Sequence, residues 1–185
     1  MNQSIGRGIV RRRPDGYHIV AFERPVHHSV ERVWSAITAP EERAVWAPGI
    51  RFDPAPDARF DIWFGDECEG PSHVSGHLSN FHPPRSIALG SISIELARPD
   101  GRVGSSLART AGLRAPVGCV IHFSDVLWFD NKRTKVDFAN AVLAGWHRFL
   151  DTLEIWLNEG RPALDLPEPD YARAFVEGRD SLGSL

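Results

Sequence analysis

The stretch from Val136 to Leu157, VDFANAVLAGWHRFLDTLEIWL, decides the fold of this chain. Its apolar residues recur at steps of three and four, the spacing that places side chains on one face of an α-helix. The members of this stripe are Val136, Ala139, Val142, Leu143, Trp146, Phe149, Leu150, Leu153, Trp156 and Leu157. So wide an apolar face predicts a long helix that packs against a large partner surface.

A β-sheet is predicted to form that partner surface. Between residues 50 and 130, apolar and polar residues alternate in short runs that end at proline or glycine, which is typical of half-buried strands. The predicted strands are residues 17–24, 58–65, 72–81, 86–97 and 119–129. Residues 47–57 contain three prolines and can add at most one short edge strand.

Two short helices are predicted between the first strand and that proline-bearing loop. Ser29 is a good N-cap for a helix over residues 30–37, where apolar side chains again follow helical spacing. Pro40 ends this helix, because the residue before a proline avoids the α region. Residues 41–46 are predicted to form the second short helix.

Composition and charge narrow the class of protein. The chain has 185 residues, of which 42% are hydrophobic, and this suits one domain with a substantial core. We expect an N-terminal segment at 1–16, a domain at 17–160 and a proline-bearing tail at 161–185. The net charge of −3 favours neither nucleic acid nor an anionic membrane as a partner.

Localisation follows from what the sequence lacks. The N-terminus has no apolar signal core, and no run approaches the ~18 apolar residues of a membrane span. A cytoplasmic protein is therefore expected, with Cys68 and Cys119 as free thiols.

A metal site is suggested by the spacing of Cys68, His73 and His77 and is then argued against by their setting. Residues four apart on a strand are ~13 Å apart at ~3.3 Å rise each, whereas zinc ligands lie ~2 Å from the ion. The two histidines could not share one ion on a strand. No nucleotide-binding loop is present either, so we expect neither a metal nor a cofactor.

Asp125 is the candidate for chemistry. On the last predicted strand it shares a face with Ile121 and Phe123, and this more apolar face is expected to meet the helix. A carboxylate in apolar surroundings can serve as a general base or as a partner for a polar group of a ligand. The alternative is that a strand irregularity exposes Asp125 to water, or that an arginine neutralises it.

His147 is expected to have no such role. It lies on the long helix near Asp151, Glu154 and Asn158, on the side opposite Trp146. An exposed histidine paired with the carboxylate at i+4 is the favoured interpretation.

The order of these elements resembles the SRPBCC (START-like, Bet v 1-like) superfamily. Residues 30–40, VERVWSAITAP, followed by Trp46, look like the opening of its branch named for the activator of Hsp90 ATPase homologue. The segments 76–85, 118–125 and 145–153 agree with it in order. The resemblance covers roughly residues 17–160.

This resemblance implies an α+β helix-grip fold. A curved antiparallel sheet of six or seven strands would wrap around the long C-terminal helix, with the two short helices near the N-terminus. Many members hold hydrophobic ligands in the cavity between sheet and helix, and no catalytic residues are common to all. Two departures are the arginine-rich segment 98–117 and the tail beyond residue 160, and Asp125 stands where this branch often has histidine.

Three functions follow as hypotheses. The first is binding of a small hydrophobic molecule, such as a lipid, polyketide or aromatic metabolite, in an internal cavity. The second is a polyketide cyclase/dehydratase-like enzyme with Asp125 as acid–base and Asn140 or His122 orienting the substrate. The third is a co-chaperone-like interaction module, and a homodimer is also left open. The predicted ligand-binding residues are Trp46, Phe60, Ile62, Phe64, Leu78, Phe123, Asp125, Asn140, Leu143 and Trp146.

Overall fold

The computed structural model describes residues 8–63, 73–99, 116–127 and 136–163, without the side chains of residues 136, 137 and 140. Cys68, most of the predicted loop 98–117 and most of the tail 161–185 lie outside the described residues. The fold below is that of the described part.

Eight antiparallel strands form one curved sheet in the order β1-β2-β8-β7-β6-β5-β4-β3. The strands are β1 (Ile9–Arg12), β2 (His18–Val26), β3 (Ile50–Phe52), β4 (Arg59–Trp63), β5 (His73–His82), β6 (Ser86–Leu89), β7 (Ile92–Ala97) and β8 (Cys119–Leu127). Strand β8 lies between β2 and β7, so its inward side chains stand near the middle of the concave face.

The strand count exceeds the predicted six or seven for two reasons. Residues 86–97 were expected to form one strand, but Gly90 adopts φ +63° and turns the chain, so that β6 and β7 form a hairpin. Strand β1 was not predicted because it is short and ends in exposed arginines. Charged, short strands are common at sheet edges, where they discourage pairing with another chain.

Three helices accompany the sheet in the described part of the chain: α1 (Val30–Thr38), α2 (Pro40–Trp46) and α3 (Val136–Glu159). Ser29 caps α1 as predicted, because its hydroxyl accepts a hydrogen bond from the backbone N–H of Arg32 at 3.2 Å. No helix among the described residues is long and apolar enough to cross a membrane.

The stripe on α3 forms the centre of the core. Its buried members are Ala139, Leu143, Trp146, Leu150, Leu153 and Leu157, while Val142, Phe149 and Trp156 are half-buried against the same core. The helix contacts β1, β2, α1 and α2. The predicted arrangement of a sheet around one long helix is therefore confirmed.

Glu42 on α2 joins the three helices. One carboxylate oxygen accepts hydrogen bonds from Arg32 at 2.6 Å and from the Trp156 indole at 2.7 Å, and the other accepts from the Ser35 hydroxyl at 2.7 Å. Burial acts to raise the pKa of Glu42, but these hydrogen bonds outweigh it and lower the pKa. The ionised form of Glu42 thus ties α2 to both α1 and α3.

Candidate functional site

The space between α3 and the concave face of the sheet is nearly filled. A residual void of about 20 Å³ remains there, which is room for about one water molecule. It is lined by side chains from all three helices and from β3, β4, β6, β7 and β8. All of these side chains are apolar or aromatic except that of Arg43.

The predicted ligand-binding residues divide into three groups. Those that line the void are Trp46, Ile62, Phe123 and Trp146. Those that are buried in the same core but do not line it are Phe60, Leu78, Asp125 and Leu143. Phe64 and the side chain of Asn140 lie outside the described residues. Their predicted roles in binding stay predictions.

A row of aromatic rings fills the space beside the void. Phe123 packs against Trp146 with ring centres 4.7 Å apart, and Trp146 meets Phe149 edge-on at 5.1 Å. Phe149 then packs on Trp46 at 4.8 Å. The row runs from β8 through α3 to α2. A molecule that entered the space between α3 and the concave face of the sheet, called the cup below, would have to displace at least one of these rings.

Asp125 lies on the predicted face of β8 and is 7% exposed. One oxygen accepts a hydrogen bond from the Ser91 hydroxyl at 2.7 Å, and the other accepts from the Trp146 indole N–H at 2.9 Å. Trp146 lines the void whereas Asp125 does not. The carboxylate therefore holds α3 against the β6–β7 hairpin, and its use in acid–base chemistry stays a prediction.

His122 is not brought to Asp125. It is exposed and points to the opposite side of β8, as strand alternation requires. The titratable side chain that shares the inward face with Asp125 is His18 on β2, which is 8% exposed and lies two residues from Val20, the strand partner of Asp125. The cyclase hypothesis is thus left without His122 as the residue that orients the substrate.

Arg43 is a buried charged side chain that was not predicted from the sequence. It is 4% exposed and donates hydrogen bonds to backbone carbonyls at the end of α1 and along β3. Its guanidinium carbon lies 3.7 Å from the centre of the Phe52 ring. Burial lowers the pKa of Arg43 to about 10, against the weaker opposing effect of Asp53 and Glu41. The sequence spacing could have predicted its burial, because Arg43 and Trp46 are three residues apart on one helix and share a face.

A second buried charge lies on β2. Arg24 is 1% exposed and donates to Asp151 at 2.6 Å, and its guanidinium also lies 3.5 Å from Glu154. Those two contacts are made by Nη1 of Arg24, and Nη2 lies 3.0 Å from Nδ1 of His147. Arg24 continues the inward face of His18, Val20 and Phe22, which is the alternation that could have revealed it.

This cluster corrects the prediction for His147. The expected pairing with Asp151 is present at 3.2 Å, but the imidazole is half-buried and packs edge-on against Phe22 rather than standing in water. Burial raises the pKa of Glu154. Burial also acts to raise the pKa of Asp151, but the hydrogen bonds and charges of His147 and Arg24 outweigh it and lower that pKa.

A larger open groove lies outside the cup, near the start of α1 and the outer side of β6, β7 and β8. Its volume is about 690 Å³. Glu31, Arg85, Glu95, Arg98 and His122 line much of it. This charged, open surface does not have the apolar character expected of a site for a hydrophobic ligand.

Comparison with known proteins gives the fold. No family model and no curated protein matches the chain. Among solved structures, a conserved protein of unknown function, EF2215 from Enterococcus faecalis, is 14% identical with a TM-score of 0.61, over 96% of this chain and 91% of that one. CalU16 from Micromonospora echinospora is 18% identical with a TM-score of 0.59, over 99% and 98%. The Aha1 dimer from Colwellia psychrerythraea is 14% identical with a TM-score of 0.53, over 77% and 97%.

The chain shares the fold of these structures, and this fold fits the SRPBCC-like architecture that the sequence resemblance implies. At these identities the likeness shows the fold alone. The predicted relation to the activator of Hsp90 ATPase homologue branch stays a prediction.

Proposed function

We propose that this protein binds a small hydrophobic molecule between α3 and the concave face of the sheet. The observation that supports this most directly is the composition of the inner surface. Within the described part of the chain, side chains from three helices and five strands converge on one void, and a single one of these side chains carries a charge. Binding sites for small apolar molecules have this makeup, with a mostly apolar lining and very few polar groups.

The size of the void sets a condition on this function. A void of about 20 Å³ is far below the ~300 Å³ at the lower end of small-molecule sites, so the cup has to open. The rim formed by α2 and β3 is the part suited to move. Strand β3 has three residues and pairs only with β4, because it is the last strand of the sheet. Outward movement of this rim would separate Trp46 from Phe149 and enlarge the void.

The proposal is tested with Nile red, a neutral hydrophobic dye, and by native mass spectrometry of the full chain after incubation with it. We expect enhanced dye fluorescence that saturates at one dye per chain. Ile62→Phe fills the void and should weaken dye binding at least tenfold. Ile87→Phe is the matched control, because Ile87 is equally buried but does not line the void.

Both variants should first be shown to fold by circular dichroism, since overpacking a core costs ~1–3 kcal/mol. Dye binding that is absent in the wild type, or equally weakened by both substitutions, would contradict a site at the void.

Assembly is a separate proposal. The Colwellia protein was solved as a dimer, and a homodimer of this chain is proposed on that likeness. Light scattering coupled to size-exclusion chromatography would measure it, and a monomer mass across the accessible concentration range would contradict it.

A further inference from the structure

Arg43 is a buried positive charge beside the void, and no carboxylate in the described part of the chain lies close enough to neutralise it. Its side chain is 4% exposed and lines the void. No carboxylate in the described ranges forms an ion pair with it, and Asp53 and Glu41, which act on it at longer range, are themselves exposed. Asp125 is occupied by Ser91 and Trp146.

The hydrogen bonds of Arg43 explain its position but leave its charge in place. Nε donates to the carbonyl of Ile50, Nη1 donates to those of Ile37 and Thr38, and Nη2 donates to that of Phe52. These acceptors carry no net charge. A guanidinium has five N–H groups, so one N–H on Nη2 has no acceptor among the described residues.

A buried guanidinium that keeps its charge and has an N–H without an acceptor favours an anion beside it. Electrostatic attraction is strong where water is excluded, and a charge-assisted hydrogen bond is roughly twice as strong as a neutral one. The single open N–H suits one carboxylate oxygen. A phosphate would carry more charge and more acceptors than this wall can satisfy.

We propose that the molecule held in the cup is an aromatic carboxylic acid, bound with its carboxylate at Arg43 and its ring system among Trp46, Phe149 and Phe123. This inference rests on the proposed function and adds the chemical class of its ligand. The aromatic body follows from the rings that line the void, which offer stacked and edge-on contacts. The carboxylate would accept a hydrogen bond from the open N–H.

The test compares three compounds of nearly one shape by titration calorimetry against the full chain: 2-naphthoic acid, 2-acetylnaphthalene and 2-naphthylmethylamine. Near neutral pH, the acid is expected to bind at least tenfold more tightly than the neutral ketone, and the amine is expected to bind most weakly. A ketone that binds as tightly as the acid, or more tightly, would overturn the inference and leave the proposed function standing. Failure of all three, together with failure of Nile red, would overturn both.

Two variants assign the preference to Arg43. In Arg43→Gln the acid should lose its advantage over the ketone, so that the ratio of their two dissociation constants falls to about one. Arg51→Gln is the matched control: it removes an exposed arginine from β3, one whose guanidinium carbon lies 4.9 Å from the Trp63 ring centre. This variant should keep the full preference for the acid. An acid preference that survives in Arg43→Gln overturns the assignment.

Because Arg43 bonds to four carbonyls, Arg43→Gln could fail to fold, and a measurement on the wild type then decides. The carboxyl carbon of ¹³C-labelled 2-naphthoic acid reports the ionisation of the bound acid by NMR. Contact with a buried guanidinium should lower the pKa of the bound carboxyl below that of the free acid. A bound carboxyl whose pKa is raised would show that it lies in an apolar part of the cup, and would overturn the inference.

Discussion

The hydrogen bond between Trp146 and Asp125 should be among the strongest single polar contacts in this core. Trp146→Phe removes the indole N–H and leaves one oxygen of a 7% exposed carboxylate without its donor. Hydrogen bonds to charged groups contribute ~1.5–3 kcal/mol. The lost five-membered ring adds about 1 kcal/mol at ~24 cal/mol per Å³ of cavity. We therefore expect the free energy of unfolding to fall by about 3 kcal/mol.

Urea unfolding followed by far-UV circular dichroism measures this change. Trp34→Phe is the matched control, because Trp34 packs on Phe81 and makes no described hydrogen bond through its indole, so its loss should cost less than about 1.5 kcal/mol. Asp125→Leu is the second arm. In the double variant Trp146→Phe/Asp125→Leu both partners are apolar, so it should be more stable than the sum of the single changes predicts, by about 2 kcal/mol. Additivity within about 0.5 kcal/mol would refute the reasoning.

Three further predictions concern titratable groups. Burial raises the pKa of Glu154 above its ordinary 4.5, so this group stabilises the folded state at low pH and loses that contribution as pH rises through its folded pKa. The stability of Glu154→Gln relative to wild type should therefore increase as pH rises from below 4.5. A stability difference in urea unfolding that does not change with pH would contradict this. The pH dependence expected for Glu42 has the opposite sign, because its lowered pKa gives stability that is present above pH 4.5 and lost as pH falls through the folded pKa. Glu42→Gln should lower the free energy of unfolding by about 1–2 kcal/mol near neutral pH and by progressively less in acid. Burial raises the pKa of Cys119 to about 12, so in a Cys68→Ser variant a thiol reagent should react with Cys119 at the rate of unfolding, and fast labelling of the native protein would be the contrary result.

The sequence is sufficient to predict the long helix and most of the strands, because both depend on periodicity, whereas the curvature of the antiparallel sheet was expected only from the family resemblance. The stripe on α3 repeats over six turns, and alternation on β8 places Ile121, Phe123 and Asp125 on one face. Strand β1 is too short and too charged to show such a pattern. The β6–β7 hairpin depends on the backbone angle of Gly90, which is set by one residue and interrupts an otherwise continuous alternation.

The interior could be predicted only in part, because it depends on how far side chains reach. The apolar lining follows from the pattern, but the volume left between aromatic rings does not. Arg24 and Arg43 were missed because arginine is ordinarily counted as a surface residue. Each is buried, and its charge meets Asp151 on α3 in the case of Arg24 and backbone carbonyls in the case of Arg43.

The hydrogen bonds of Glu42 have a thermodynamic consequence for ligand uptake. If the rim opens by movement of α2 away from α3, the Trp156–Glu42 bond is broken in the open state. The closed population then weakens apparent binding, because the apparent dissociation constant is the intrinsic one divided by the fraction of molecules that are open. Trp156→Phe would release this restraint. It would tighten apparent binding of a ligand that it does not touch, while lowering the stability of the empty protein.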